Sequence, residues 1–442
     1  MIKLSDHFTY RTLLRFTIPS ILMMIFTSIY GVVDGIFVSN FVGEIEFAAV
    51  NFIMPFLMML GGIGFMFGTG GSALIAKRMG EGKQHEANGI FSLLILVSLG
   101  TGVAIAALGI LFLRPIAALL GAEGTMLEHC VTYGRVILLA LPALLLQFEF
   151  QSFFITAQKP KLSLLVTLAA GIANMVLDAL FMAVFGWGIV GAAAATAISQ
   201  CVGGFVPLVY FVRKNSSLLR ITRPRFDGRA LLLTCTNGSS ELLSNISMSL
   251  VSMLYNVQLL RYAGEAGVSA YGVLMYVNFV FLAVFIGYSV GTAPLISYHF
   301  GARNHAELKS LLGKSLVLIS SASLLMLGIS QLLGSPLASL FVGYNPSLLA
   351  LTVQGFRIFS FSFLFAGIAI YGSSFFTALN NGPVSALISF LRTLVFQVGA
   401  VLLLPLLLNG APGIWLSVVV AELVAAALTA IFMLGLRRKY HY

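Results

Sequence analysis

The chain has 442 residues, of which 59% are hydrophobic and only 9% are charged. Soluble domains carry roughly 25% charged residues, so this chain has too little polar surface to cover a water-soluble globule. The formal charge of +10 is distributed over many loops rather than gathered in one basic patch, which argues against a nucleic-acid-binding protein.

Twelve apolar stretches follow one another along the chain, each long enough to cross a hydrocarbon core of ~30 Å. They lack the alternation of barrel strands, and backbone groups in lipid must bond within their own segment, so the stretches are predicted to be helices. The predicted spans are 14–38, 46–72, 90–113, 130–155, 162–185, 189–213, 232–260, 268–294, 311–333, 351–377, 384–408 and 412–436. The sequence therefore predicts an all-α integral membrane protein with twelve transmembrane helices. The polar start, which contains Lys3 and Asp6, is interpreted as an amphipathic lead-in to the first helix and not as a cleavable signal.

The basic residues fall mainly on one side of this predicted topology. The opposite side holds little beyond Arg114, Arg135 and Arg261. Because cytoplasmic loops carry the excess of lysine and arginine, we expect both termini to be cytoplasmic in a multi-pass protein of the cell membrane. The cations assigned to the cytoplasmic side are Lys3, Arg11, Arg15, Lys77, Arg78, Lys83, Lys159, Lys161, Arg213, Lys214, Arg220, Arg223, Arg225, Arg229, Arg303, Lys309, Lys314, Arg437, Arg438 and Lys439.

The two halves of the sequence resemble each other. At an offset of 221 residues, Gly80 matches Gly301 and Glu86 matches Glu307, and one register holds for more than a hundred residues. This pattern predicts two homologous six-helix bundles that enter the membrane in the same orientation. The predicted units are an amino-terminal lobe over 1–213, a cytoplasmic linker over 214–230 and a carboxyl-terminal lobe over 231–442, in a monomer.

Ionisable residues inside transmembrane helices are costly and by default mark a pathway or a coupling site. Asp34 lies deep in the first predicted helix, and Asp178 follows Asn174 by four residues, so that both side chains share one face of the fifth helix. Thr196 adds a hydroxyl from the sixth helix. Two carboxylates facing each other in a poorly hydrated pocket suit a proton or a sodium ion, whose oxygen ligands the amide and hydroxyl complete. The alternative is that Asp34 and Asp178 only satisfy neighbouring polar groups.

Further polar and adaptable residues are candidates for a substrate cavity. Glu241 either opens into a polar pocket or caps the start of the seventh helix. Glu149 either lines the cavity or snorkels to a membrane face. Arg392 and Glu422, together with Arg357, are interpreted as ion-pair or interfacial groups. The cavity candidates are Tyr30, Glu149, Gln151, Gln200, Glu241, Asn245, Met275 and Tyr276.

Other kinds of chemistry lack their sequence patterns. There is no Walker A sequence, no nucleophile with a base and no zinc ligand set, so neither an enzyme nor a cofactor other than the coupling ion is expected. The three cysteines, Cys130, Cys201 and Cys235, have no paired spacing and predict no disulfide framework.

Several short motifs together resemble the multidrug and toxic compound extrusion family. They are Pro19 in the first helix, Val33 to Val38 around Asp34, Gly80, Thr156 to Pro160, Asn174 to Asp178, Gly188 to Thr196, and Ser199 with Gln200. The resemblance covers essentially the whole chain. It implies V-shaped six-helix lobes, outward export of organic cations or other amphipathic drugs, and antiport against protons or sodium.

The resemblance also assigns sites. Family members hold a cation in the amino lobe on residues that match Asp34, Asn174, Asp178 and Thr196. Some also use an acid on helix ten for a carboxyl-lobe sodium site, but residues 357–376 contain no acid, so a second site is not expected here.

Three other functions stay open at this point. A flippase for lipid-linked saccharides would share the cavity but should hold more basic groups for a pyrophosphate, and here buried acids predominate. An intramembrane enzyme needs catalytic residues that the sequence lacks. A channel is the third alternative, against which the missing filter sequence argues.

Overall fold

The computed structural model describes residues 2–224, 226–343, 345–408 and 410–442. Arg225, one of the cations assigned to the linker, lies outside the described residues. Over the ranges described, the chain is helical almost throughout and contains no strand, which confirms the predicted fold class.

The helices are named here in chain order, one label for each membrane span. The amino-terminal half contains α1 Tyr10–Phe41, α2 Glu44–Gly80, α3 Gln84–Leu119, α4 Gly124–Leu139 with Leu141–Thr156, α5 Pro160–Asp178 with a π-helical continuation Ala179–Val184, and α6 Gly188–Val212. The carboxyl-terminal half contains α7 over 228–263, α8 over 265–301, α9 His305–Val342, α10 Pro346–Phe359 with Ser360–Ser362 and Phe363–Ala378, α11 Gly382–Phe390 with Leu391–Phe396 and Gln397–Leu408, and α12 Ala411–Tyr440.

Two breaks decide the number of spans. Helices α7 and α8 form one hydrogen-bonded run of 74 residues, interrupted at Gly264, whose φ of +64° suits a residue without a side chain. Such a run would be about 110 Å long if straight, far more than one bilayer, so it comprises two spans. The two segments of α4 are bent by 55° at Ala140, where Pro142 removes a backbone donor. In the part of the chain that is described, the predicted twelve spans are therefore confirmed.

The duplication is visible in the backbone. Residues with a left-handed φ recur at corresponding places of the two halves: Gly82 (77°) with Arg303 (55°), Gln158 (62°) with Asn380 (57°), and Gly188 (55°) with Gly410 (120°). A hydrogen bond recurs in the same way, because Ser163 donates to the Gln151 carbonyl at 3.0 Å and Ser385 donates to the Ser373 carbonyl at 2.8 Å. Two copies of one six-helix unit account for these repeated turns and bonds.

The halves meet at the end of the molecule that contains residues 2–9, the α2–α3 and α8–α9 turns and the carboxyl terminus, here called the terminal face. A Cβ atom on Gly80 would overlap the Tyr298 carbonyl, and one on Gly301 would overlap the Lys77 carbonyl. Deeper in the interface, a Cβ on Gly238 would overlap the backbone of Met66. Helix α2 therefore approaches both α7 and α8 at backbone contact distance.

The buried apolar residues form one core that the two halves share and a second core that belongs to the amino half alone. One continuous core joins the terminal-face part of the amino half, including Phe16 and Leu74, to the carboxyl half, including Leu295 and Leu308. The far part of the amino half has a separate core around Ile53. The two halves thus share a core at the terminal face, while the amino half has its own core on the other side.

Candidate functional site

The structure brings the predicted coupling residues together at the junction of α1, α5 and α6. The side chain of Asp34 lies beside those of Asp178 and Asn174. Asp178 and Asn174 are buried, and Asp34 is partly buried. Asp178 is the last residue of the α-helical part of α5, where the wider π turn begins. Such π turns occur frequently at functional sites.

The polar atoms of this site are short of partners. Among the described residues, Asp34 Oδ1, both Asp178 carboxylate oxygens, both amide atoms of Asn174 and Thr196 Oγ1 are buried and make no hydrogen bond. Buried polar groups in proteins are nearly always hydrogen-bonded, so each unpaired one requires an explanation. The donor set consists of carboxylate, amide and hydroxyl oxygens, which fits a hard cation or a proton shared between the two carboxyl groups.

A transition-metal site is not indicated by the same residues. Over the described ranges, no three His, Cys, Asp or Glu side chains converge in an arrangement that would hold a metal ion. Oxygen ligands without imidazole or thiolate suit sodium better than zinc or copper.

Tyr133 of α4 belongs to the site and was missed in the sequence. Its ring is buried, and its hydroxyl lies near Thr196 and within the influence of both Asp34 and Asp178. The hydroxyl also contacts Met54 Sδ at 3.7 Å. The sequence offered only one weak signal, a Thr-Tyr pair within an apolar stretch, because many tyrosines in such helices only pack. Tyr133 therefore adds a buried hydroxyl beside Thr196 to the site.

Tyr30, predicted as a cavity residue, also lies at this site. It stands one turn before Asp34 on α1 and within the influence of its carboxyl group. Its ring packs near Phe26, with ring centroids 6.0 Å apart, and against Gly171 of α5. The absence of a side chain on Gly171 therefore lets α1 and α5 approach each other beside Asp34.

Three other predicted cavity residues lie inside the amino half. Glu149 is 0% exposed and stands near Ser98 of α3, so the alternative that it snorkels to a membrane face is wrong. Gln151 and Gln200 are also buried, and Gln151 lines a small cavity between α4, α5 and α6. Their part in substrate binding stays a prediction.

The carboxyl-half candidates are spread along α7 and α8. Helix α7 begins at Gly228, with Asp227 as its N-cap, so the interpretation of Glu241 as a helix cap is wrong. Asn245 donates to the Glu241 carbonyl at 2.8 Å and lies against Gly62 of α2, at the boundary between the halves. The remaining two lie on α8: Met275 is partly buried, and Tyr276 is exposed and stacks on Phe341.

The buried charges of the carboxyl half are paired. Arg392 donates to Glu422 at 2.8 Å, and the side chains are 14% and 7% exposed. Glu241 faces the same guanidinium. Tyr255, at the position that the 221-residue offset matches to Asp34, donates from its hydroxyl to the Gln397 amide oxygen at 2.7 Å. The interpretation of Arg392 and Glu422 as an ion pair is confirmed.

Comparisons with known proteins agree along the whole chain. The MatE family model matches residues 19–180 and 242–402, one segment in each half. The chain is 25% identical to the multidrug export protein MepA of Staphylococcus haemolyticus strain JCSC1435 over 432 residues, covering 97% of this chain and 94% of that relative. It is 24% identical to MepA of Staphylococcus aureus strain NCTC 8325 over 433 residues, with the same shares covered.

Solved structures show the same fold. One, described as the outward-facing conformation of a multidrug resistance MATE family transporter, superposes with a TM-score of 0.91 at 24% identity and covers 98% of this chain and 96% of that one. A second, a MATE in the bent conformation, superposes with a TM-score of 0.88 at 23% identity, covering 99% and 98% of the two chains.

Proposed function

Since this chain belongs to the MatE family, we propose that it exports organic cations or other amphipathic drugs across the cell membrane in exchange for protons or sodium ions. The observation that carries the coupling part is the junction of α1, α5 and α6, where Asp34 and Asp178 lie together with unpaired oxygens. An uncompensated pair of buried carboxylates is unfavourable, whereas binding a proton or a sodium ion relieves both repulsion and desolvation.

The proposed coupling site has four ligands and one supporting group. Asp34 and Asp178 supply charge, and Asn174 and Thr196 supply neutral oxygen ligands. Tyr133 supports Thr196. An ion couples to transport only if it binds one conformation better than the other, by a differential affinity of about 1–3 kcal/mol. Because the ligands come from α1, α5 and α6, a change in the packing of these helices changes the distances between the ligands and therefore the affinity for the ion.

The export part of the proposal draws on relatives and on the residue types along α7 and α8. The curated relatives are named multidrug export proteins. Acidic Glu241 and adaptable Met275 lie on the carboxyl-half helices that contact α1 and α2, and such surfaces favour cations of varied shape.

We further propose alternating access between lobes 1–213 and 231–442, joined by the linker 214–230, with the terminal face cytoplasmic. Three features support it: the shared core at the terminal face, the separate core of the far amino half, and the fold likeness to an outward-facing transporter. The terminal face carries the excess of lysine and arginine, as cytoplasmic loops do.

Reconstituted transport tests the function directly. The purified protein in proteoliposomes should move a fluorescent lipophilic cation against its concentration gradient when a pH or a sodium gradient is imposed separately. One of the two gradients should suffice. Dissipating that gradient with an ionophore should abolish uphill movement. Absence of gradient-driven movement across a panel of such cations would refute the proposal and favour the flippase alternative.

A further inference from the structure

Residues 2–9 leave the amino half and bind to the carboxyl half at the terminal face. The carboxylate of Glu307, in the first turn of α9, accepts the Phe8 backbone N–H at 2.9 Å and contacts His7 Nδ1 at 2.6 Å. Two turns further along α9, the Lys314 ammonium donates to the Phe8 carbonyl. Both backbone polar groups of Phe8 are therefore held by charged side chains of the other half, in bonds stronger than those between neutral groups.

Apolar contacts accompany these bonds. Leu4 and Phe8 are fully buried although they precede the first helix. The Phe8 ring stands edge-on between Phe16 of α1 and His299 of α8, at centroid distances of 6.2 and 6.4 Å. A segment that buries two large apolar side chains this completely loses that burial if the halves separate here.

The repeat shows that this arrangement is particular to Glu307. Its counterpart in the amino half, Glu86, occupies the same first-turn position of α3, but its side chain is 51% exposed and it pairs with Arg78 and Lys83. The side chain of Glu307 is only 7% exposed. At the same structural position, the amino half thus has a solvated surface acid, and the carboxyl half has a buried acid that binds residues 2–9.

The segment that leads into the carboxyl half also crosses the terminal face. The start of α3 binds this linker through three side chains. Gln84 donates to the Leu218 carbonyl at 2.9 Å, Asn88 Oδ1 accepts from the Arg220 backbone N–H at 3.1 Å, and Ser92 Oγ accepts from the Thr222 backbone N–H at 2.8 Å. Each lead-in therefore binds the third helix of the opposite repeat, α9 for residues 2–9 and α3 for the linker. The lead-in at residues 2–9 is held by the buried carboxylate of Glu307.

We propose that residues 2–9 form a strap that fastens the two halves at the terminal face, and that Glu307 sets the balance between the fastened conformation and one opened at that face. The proposal rests on the proposed alternating access. Opening this face breaks the bonds that Glu307 and Lys314 make to Phe8 and exposes the Leu4 and Phe8 side chains, so the strap favours the conformation described here.

Distance measurements across the terminal face test the strap. Spin labels are attached at His85→Cys and Ala306→Cys, exposed positions at the starts of α3 and α9, after Cys130, Cys201 and Cys235 are replaced by alanine. Pulsed double electron–electron resonance then gives the populations of short and long label distances. Glu307→Gln should raise the ratio of long to short distances about tenfold, because a charge-assisted bond is lost.

Two further variants make the result specific. Glu86→Gln removes the matching acid in the other repeat and should leave the distances unchanged. Lys314→Met keeps the apolar stem, frees the Phe8 carbonyl and should shift the distances in the same direction as Glu307→Gln, which keeps the test decisive if that variant folds poorly. Distances unchanged in both Glu307→Gln and Lys314→Met would overturn the strap. The proposed function has its own test, because it fails if the unmodified protein shows no gradient-driven transport, whatever the distances are.

Discussion

Gly80 and Gly301 occupy reciprocal positions, each with its Cα against the backbone of the helix from the other half. The pair lies near the axis that relates the two repeats. Because a Cβ on either residue would meet a backbone carbonyl and not a flexible side chain, the contact leaves no room for any larger residue.

Gly80→Ala and Gly301→Ala should each destabilise the protein, by about 1–3 kcal/mol, because the two helices must move apart. Thermal unfolding in detergent measures the change. Gly89→Ala serves as the control, since no atom lies within 4 Å of the added Cβ in the interior of α3. That control should leave stability unchanged or raise it by up to about 1 kcal/mol. Equal melting temperatures for all three variants would contradict the close approach.

Asp34→Asn and Asp178→Asn should each reduce gradient-driven efflux at least about fivefold, the lower end of typical coupling energies. Asparagine keeps the shape and removes the charge that the coupling ion compensates. Uphill dye transport in proteoliposomes measures the effect, while substrate binding to purified protein should persist. Glu265→Gln, an exposed acid at the start of α8, is the matched control and should transport normally. Unmodified uphill transport by either aspartate variant would exclude that residue as an essential coupling group.

Tyr133→Phe removes only the hydroxyl that lies beside Thr196. Loss of one neutral polar group beside the coupling residues predicts a weakening of coupling-ion affinity of about two- to tenfold. The dependence of the transport rate on the concentration of the coupling ion measures it, and the maximal rate should change less than the affinity. Tyr262→Phe, on a partly buried tyrosine near the end of α7 that belongs neither to the site nor to the cavity candidates, should change neither quantity. An unaltered ion dependence in Tyr133→Phe would show that Tyr133 only packs.

The contact between Arg392 and Glu422 predicts that the stability losses of the two single variants do not add up in the double variant. Both side chains are largely buried, so Arg392→Met alone should destabilise the protein by about 3–5 kcal/mol, because it leaves a buried carboxylate unpaired. The double variant Arg392→Met with Glu422→Leu should recover the part of this loss that comes from Glu422, while Glu241 still lacks the guanidinium that it faces. Melting temperatures of the two single variants and the double variant form the required cycle. Additive losses would mean that the pair does not interact in the folded protein.

The repeat and the span order could be predicted from the sequence because both depend on residue types. A close helix crossing requires glycine, so Gly80 and Gly301 mark the same crossing twice. Hydropathy, however, detects only the part of a helix inside the hydrocarbon. Helix α9, predicted over 311–333, extends over His305–Val342. Its polar first turns precede the apolar stretch, and its last turns continue beyond the Gly334 to Pro336 segment that interrupts it in the sequence.

Other features depend on packing between segments distant in the sequence. The π turns after Asp178 and before Gln397 arise from a shift in hydrogen-bond register that no local composition reports. The convergence of Asp34 with Asp178 could be predicted, since intramembrane acids are rare. The presence of Tyr133 beside them could not, because buried tyrosines are common in such helices. The seven-residue gap predicted between α7 and α8 is wrong, since Gly264 alone makes the turn.

The single-residue turn at Gly264 has a consequence for anything that approaches from the side opposite the terminal face. The fully described connections there are short: 42–43, 120–123, 185–187 and Gly264. Apolar residues such as Leu119 and Trp187 stand exposed beside them. If the terminal face is cytoplasmic, as proposed, the described connections offer an external protease no extended stretch to cleave and an antibody few hydrophilic epitopes. A binder selected from outside must therefore reach between the helices to gain enough contact area.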